Sequence, residues 1–284
     1  MGSVNTIVYA EEWAVKLQEM LNEQLKWKDI CNVEYTNSRV LHNPYLTDAT
    51  VQTGYRGTAY TMQEVVETDE STTINTFKIL PQFIDRADLA QSTFMRQMNL
   101  AERQGILLNE AIESAVFAAH ASYTDFGTEN LSGTSGSSQI TVSATNIDDI
   151  IRSVKRTIRT ANGESLLNRN GGFIVWRPAD FELLEGFMQA NGFVTADTAL
   201  KGGSEQGMQY MGLTHYSSNK LTANHLCAGV KKIIHLGILK DTYGQVVVSQ
   251  EPGNVSGIGV ISRVDYAVKA WNNTKAVVFD VNVV

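Results

Sequence analysis

Near the start of the chain, apolar side chains recur every fourth residue at Trp13, Leu17, Leu21 and Leu25, with Ala14 and Met20 beside them. Glu11, Glu12, Lys16, Glu19 and Glu23 take the remaining positions. This period predicts an amphipathic helix over 10–28, with the two leading carboxylates at the positive end of its dipole. A short extended piece over 33–41 follows, ended by His42, Asn43 and Pro44 as turn residues. The pattern then changes. Between 50 and 80 the chain is rich in Thr, Tyr and Val, and its apolar residues thin to Val51, Tyr55, Tyr60, Met62, Val65, Val66, Ile74 and Phe77. Runs at 50–57, 58–66 and 72–80 have strand character around the acidic stretch Glu67 to Ser71, which predicts a long hairpin with that stretch at its tip. A two-stranded hairpin alone is marginal in water, so something outside it must cover it.

Pro81 is expected to close the hairpin, and Asp85 or Asp88 to open the longest helix, running to about Ala121. Asp88 and Gln91 have capping-box spacing, and Met95, Met98, Ala101, Leu108, Ile112, Ala115 and Ala119 form an apolar stripe. Gly105 is a weak point, costing about 1 kcal/mol against Ala. A helix of that extent would be a strut about 50 Å long. Ser and Gly dominate a loop at 130–138, and a short strand is expected at 139–143. Thr145 or Asn146 then caps a helix with Ile147, Ile150, Ile151, Val154 and Ile158 on one face. Beyond it come a strand at 172–176, a helix opened by Pro178 with Phe181, Leu184 and Met188 on its buried side, and a Gly-rich stretch at 201–207. Strands are expected at 211–216, 231–236 and 244–249. Two final runs at period two, 259–271 and 275–284, meet at Asn272–Asn273, with Val277, Phe279, Val281 and Val283 pointing one way. Helices and strands mix without βαβ repetition, which makes the class α+β.

Composition adds exclusions. The chain has 284 residues, 43% of them hydrophobic and 19% charged, enough for a large core and too apolar for disorder to be the default. A net charge of −7 argues against a free-standing nucleic-acid reader. Cys31 and Cys227 are read as reduced, structural thiols. No window approaches the roughly 18 apolar residues of a membrane span, and the start has no secretory signal pattern, so folding in a reducing cytosol is expected. Gly202 and Gly207 have the spacing of a phosphate loop, but Met208 and Gln209 replace its Lys and Ser/Thr. Gly257 and Gly259 begin a dinucleotide fingerprint that Ser262 breaks. His42, His120, His215, His225 and His235 are scattered, and a metal shared by His225 and Cys227 is outweighed by a structural reading. Asp148–Asp149 and Glu11–Glu12 are explained by helix dipoles. The basic face Arg152, Lys155, Arg156 and Arg159 is an ion-pairing surface or, less favoured, a phosphate contact. No catalytic residues, metal or cofactor are expected; an enzyme with dispersed catalytic residues is the outlying alternative.

Three stretches carry a resemblance: Phe77 to Asp88, leading from hairpin into strut; Phe173 to Phe181, a strand–Pro–helix; and Gly207 through Met211-Gly212-Leu213 to Ser217-Ser218-Asn219-Lys220-Leu221. With the order of the elements, they resemble the major capsid proteins of tailed bacteriophages, which share the Hong Kong phage type of capsid fold. The resemblance implies an N-terminal arm (1–48), an extended loop (49–80), a peripheral domain with a spine helix (81–145), an axial domain (146–258) and C-terminal strands returning to the peripheral domain (259–284). It implies a non-enzymatic coat protein forming hexamers and pentamers of an icosahedral shell around double-stranded DNA, located in the virion and assembled in the cytoplasm of the bacterial host. Expected partners are its own copies, a separate scaffolding protein, a portal at one vertex and a decoration protein, with no membrane; the DNA is contacted without sequence specificity. Some relatives cross-link through an extended-loop lysine, but 49–77 contains none, so that chemistry is not carried over. A nanocompartment shell of the same fold, enclosing cargo protein, is the runner-up. Trp13, Leu17 and Leu21 of the arm, and Tyr55, Arg56, Tyr60, Met62, Glu67, Asp69 and Glu70 of the hairpin, are the expected inter-subunit contacts.

Overall fold

A computed structural model describes residues 25–57, 59–85, 96–126, 139–191, 208–243, 246–250 and 257–284. Most of the expected arm helix with Trp13, Leu17 and Leu21, the Asp88–Gln91 cap, the loop at 130–138 and the Gly-rich stretch at 201–207 lie outside these residues.

The described chain opens with a single helical turn, α1 (Trp27–Ile30), and strand β1 (Asn32–Thr36). Trp27 and Ile30 are fully buried, and Leu25 packs against the core. Leu25 and Lys26 are themselves not helical, so a helix unbroken to Lys28 is ruled out. A long-range bond stands at this point: the Lys26 N–H donates to the buried Glu113 carboxylate at 2.6 Å.

β2 (Val40–Leu46) and β3 (Glu67–Thr73) pair antiparallel from Val40↔Thr73 to Leu46↔Glu67. The expected turn at His42–Pro44 and the expected tip at Glu67–Ser71 are therefore both paired strand. Pro44 is tolerated because this ribbon has two strands and each is an edge. β4 (Thr76–Asp85) runs straight through Pro81, which overturns the stop at Pro81 and makes Asp85 its last residue. Its whole length pairs with β12 (Gly257–Ala270), and that ladder outweighs the local signals.

α2 (Arg96–Ala118, 23 residues) is the longest described helix and gives way to a 3₁₀ turn at Ala119–Ser122, short of the expected Ala121. Leu108, Ile112, Val116 and Phe117 enter the core. Gln104, also buried, uses its whole amide: Nε2 donates to Gln82 Oε1 (2.8 Å) and the Val260 carbonyl (3.1 Å), and Oε1 accepts from Ser262 Oγ (2.6 Å). These bonds fix the helix on the inner side of β4 and β12.

Next come β5 (Thr124–Asp125), α3 (Ile147–Thr160), α4 (Glu164–Asn170), β6 (Gly172–Trp176) and α5 (Pro178–Ala190). At 139–143 the expected strand shrinks to one bridge, Ile140 to Val283. The isoleucine face of α3 is wholly buried, and so is β6, a continuous apolar run flanked on both sides by strands. β7 (Met208–Tyr210) and β8 (Leu213–Ser217) form a hairpin, with Met211 (φ 51°) and Gly212 (φ 77°) as its two-residue turn. Those positive φ angles end the expected 211–216 strand at its first two residues. Likewise Lys231–Lys232, with Lys232 at φ 64°, form the turn between β9 (His225–Val230) and β10 (Ile234–Leu239). β11 (Val246–Gln250) and β13 (Val278–Asn282) complete the strands. A 3₁₀ turn at Lys275–Val277 occupies the start of the expected last run.

Two sheets result. The first has the order β1-β10-β12-β11, with β4 on the other edge of β12; the second runs β5-β13-β9-β6-β8-β7. β12 and β13, neighbours in sequence, lie in different sheets, so Asn272–Asn273 is a crossing between sheets and not a hairpin turn. One hydrophobic core unites them, from Phe173 and Val175 of the second sheet through Ile112 and Val116 of α2 to Leu236 and Val264 of the first.

Candidate assembly surfaces

The ribbon over 40–73 leaves this core. Thr47 N–H bonds to Val66 O at 2.9 Å, and beyond that point no backbone ladder is assigned among the described residues. Two glutamines span the gap instead. Gln52 brackets Thr61, with Nε2 to O at 2.7 Å and N to Oε1 at 3.1 Å; Gln63 brackets Thr50 in the same way at 2.7 Å twice. All these pairs keep the register of β2 and β3, which centres the hairpin on Arg56–Gly57. Gly57 takes φ 85° there. At about 3.3 Å per residue, arms of this length reach at most ~55 Å.

Val51 (94%), Met62 (82%), Tyr55, Tyr60, Val65 and Leu46 are exposed along the arms. Of the expected contacts, Tyr55, Arg56, Tyr60, Met62 and Glu67 are thus presented outward. Asp69 faces His42 Nδ1 at 2.6 Å across the ribbon. Glu70 is different. Its carboxylate accepts from the Asn272 N–H (2.8 Å) and Nδ2 (2.9 Å) and pairs with Lys269 Nζ (2.8 Å), so it secures the ribbon to its own body. Burial opposes its ionisation, but Lys269, the Asn272 N–H and Lys275 together hold its carboxyl below the usual range. Leu41 and Ile74 pack with Leu239 at the same junction, and Leu41 lies so close over Gly237 that a Cβ there has no room. Sequence reasoning missed this clamp because Glu70 and Lys269 are far apart in the chain.

The outer side of the first sheet is also apolar. Phe77, Ile79 and Phe83 of β4 and Val247 of β11 are exposed on it, and the Arg263 guanidinium lies 4.3 Å over the Phe77 ring. Val247 pairs with Ile261 and Ile261 with Pro81, which makes one row across three strands.

The basic face on α3 borders an open depression of about 430 Å³ lined by Arg152, Lys155, Arg156, Arg159, Thr160 and Met211. Its cations have partners within the chain: Arg152 pairs with Asp148 (3.0 Å) and Asp149, Arg159 with Glu164 (3.4 Å), and Lys155 donates to the Met211 carbonyl (2.7 Å).

Two histidines that look scattered in sequence meet. His120, in the turn after α2, stacks on His225 of β9 with centroids 3.7 Å apart. Both Nδ1 atoms face Asp280 of β13, at 3.2 Å from His120 and 2.9 Å from His225. Cys227, opposite Asp280 in the β9–β13 ladder, is outside this group of clustered ligand atoms, and burial pushes its thiol well above the ordinary range. Burial likewise pushes the Cys31 thiol up.

No protein-family model matches the sequence, and the search of curated proteins gives no match. Solved structures do match. One from Mycobacterium phage Che8 superposes with a TM-score of 0.70 at 17% identity, covering 98% of both chains. The capsid of Ralstonia phage GP4 gives a TM-score of 0.69 at 10% identity and 99% of both. The chain has the phage capsid fold. A virus-like particle from Pyrococcus furiosus shares the fold at a TM-score of 0.59 and 11% identity, over 91% of this chain and 92% of its own.

Proposed function

We propose that this chain is the major coat protein of a tailed phage, assembling as hexamers and pentamers into an icosahedral shell around double-stranded DNA. The observation that carries this reading is the ribbon over 40–73, taken as the extended loop: its apolar side chains and its unladdered backbone have no cover among the described residues. Sister copies supply both needs by symmetry, repeating the same contacts from subunit to subunit. Obligate interfaces bury about 2,000–5,000 Å², which at ~25 cal/mol per Å² of apolar area gives a gross drive of tens of kcal/mol, most of it offset by ordering. The exposed row Phe77, Ile79, Phe83 and Val247 is a second surface suited to such burial.

In this reading α2 is the spine helix and forms the peripheral part with the first sheet, which takes β10 and β11 from the expected axial span 146–258; the second sheet, which takes β13 from the expected C-terminal strands 259–284, forms the axial part around each capsomer centre. The role is structural, not catalytic. A net charge of −7 suits DNA that is confined and not read. A separate scaffolding protein, a portal at one vertex and a decoration protein are its further partners. Its place is the virion capsid after assembly in the host cytoplasm.

Electron microscopy of the purified chain, with analysis of what the particles hold, tests the proposal. Closed particles enclosing double-stranded DNA are expected when the chain is taken from its native source. A monodisperse species near 31 kDa overturns the shell. Particles loaded with protein and free of DNA overturn the phage assignment in favour of a nanocompartment.

A further inference from the structure

We infer that His120, His225 and Asp280 form a binding site for one divalent transition-metal ion of the zinc class. One potential ligand atom from each residue lies within 4.8 Å of the others. They come from three elements: the turn that ends the spine helix, β9 and β13. Four-coordinate zinc with bonds of about 2.0–2.1 Å sets its ligand atoms roughly 3.3 Å apart. The Nδ1–carboxylate separations of 3.2 and 2.9 Å are already near that spacing. Closing on an ion therefore needs the loss of Nδ1 protons and a fanning of the stacked rings that turns both Nδ1 atoms toward it.

Two imidazoles with one carboxylate suit Zn²⁺, Co²⁺ or Ni²⁺ in preference to Mg²⁺ or Ca²⁺, which favour all-oxygen shells. The side chains of His120 (23% exposed) and His225 (25%) leave a path for a hydrated ion and a solvent ligand, while Asp280 (10%) is shielded. The bare cluster can also be held by two Nδ1–H donors sharing one carboxylate, so the ion must displace those protons. Its effect would be mechanical. The ion would tie the end of the spine helix to two strands of the second sheet. The buried Cys227 thiol takes no part.

Metal-stripped full-length chain is titrated with Co²⁺ and then Zn²⁺, following the visible absorption of four-coordinate cobalt, with bound metal counted after equilibrium dialysis. One ion per chain is expected, with Zn²⁺ displacing Co²⁺ and raising the melting temperature. His225→Ala and His120→Gln should each weaken binding about tenfold or more, a typical cost for disturbing a metal shell. Cys227→Ser should bind as the parent does. His120 lies in a solvent-facing turn, so its variant reports on binding even where Asp280→Asn disturbs folding. Absence of stoichiometric binding, binding that survives both histidine changes, or binding lost in Cys227→Ser overturns the site. The cluster lies within one chain, so each result stands whether or not shells form.

Discussion

At the scale of single residues, His215 shows how a buried polar group is committed to one protonation state. Its Nδ1 accepts from the Trp176 indole N–H at 3.0 Å, which leaves Nε2–H to donate to the Tyr210 carbonyl at 3.2 Å. A proton added at Nδ1 would meet the indole N–H head on. Burial therefore lowers its pKa to about 4, against a weaker opposing pull from the Tyr210 carbonyl. Between that value and the ordinary histidine range near 6.5, the unfolded chain binds the extra proton and the folded chain does not. The stabilisation is complete above about pH 6.5 and is lost as pH falls toward 4, amounting to about 3 kcal/mol. His235 is depressed by burial too, over the opposing pull of Glu34, and adds to the same window. Urea unfolding of unassembled subunits should show stability falling through that range, and His215→Gln should flatten most of the slope. An unchanged slope in the variant would place the titration elsewhere.

At the scale of elements, the extended loop is separable from the body by its own construction. Its last backbone bond to hold the arms together is Thr47 to Val66, so replacing residues 48–65 with Asn-Gly closes a two-residue turn on strands already in register. The clamp at Glu70, Lys269 and Asn272 and the packing of Leu41 and Ile74 remain intact. The shortened subunit is expected to melt within about 2 °C of the parent subunit, since it loses no buried contact, and to form no closed shells by electron microscopy. Normal shells from this variant would show that assembly does not use the loop. Elements were legible in the sequence where one local rule dominated. The isoleucine face of α3 and Pro178 at the head of α5 are where periodicity and proline chemistry placed them. The loop was recognised from its sparse apolar residues but centred wrongly. Acidic Glu67–Ser71 has turn character on its own, and only the cross-strand register identifies Arg56–Gly57 as the tip. Pro81 misled for the same reason: the ladder with β12 is a long-range fact. The exposed apolar residues of the loop could be named in advance, whereas the Glu70 clamp and the His120–His225–Asp280 cluster could not, because each joins residues from distant parts of the chain.

At the scale of the whole molecule, two sheets that the chain visits alternately share one interior. β10, β11 and β12 build the first sheet, yet β9 before them and β13 after them belong to the second. The chain therefore crosses between the sheets after β4, after β9 and after β12, and each crossing ties one sheet to the other. The core has no seam either, since Ile112 and Val116 of the spine helix belong to the same cluster as Phe173 and Val264. The Glu113 carboxylate adds a buried link, accepting the Lys26 N–H at 2.6 Å and Ser218 Oγ at 3.0 Å, so the root of the chain is tied to both the helix and the loop after β8. Calorimetry of the loop-shortened subunit should accordingly give one cooperative transition, with calorimetric and van't Hoff enthalpies agreeing, although the chain is larger than most two-state domains. Two resolved transitions would mean that peripheral and axial parts fold as independent units. Assembled particles of the parent chain should melt at a higher temperature than the subunit, because contacts that bind only the folded form add their free energy to it. If particles and subunits melted together, the interfaces would contribute nothing to the stability of the fold.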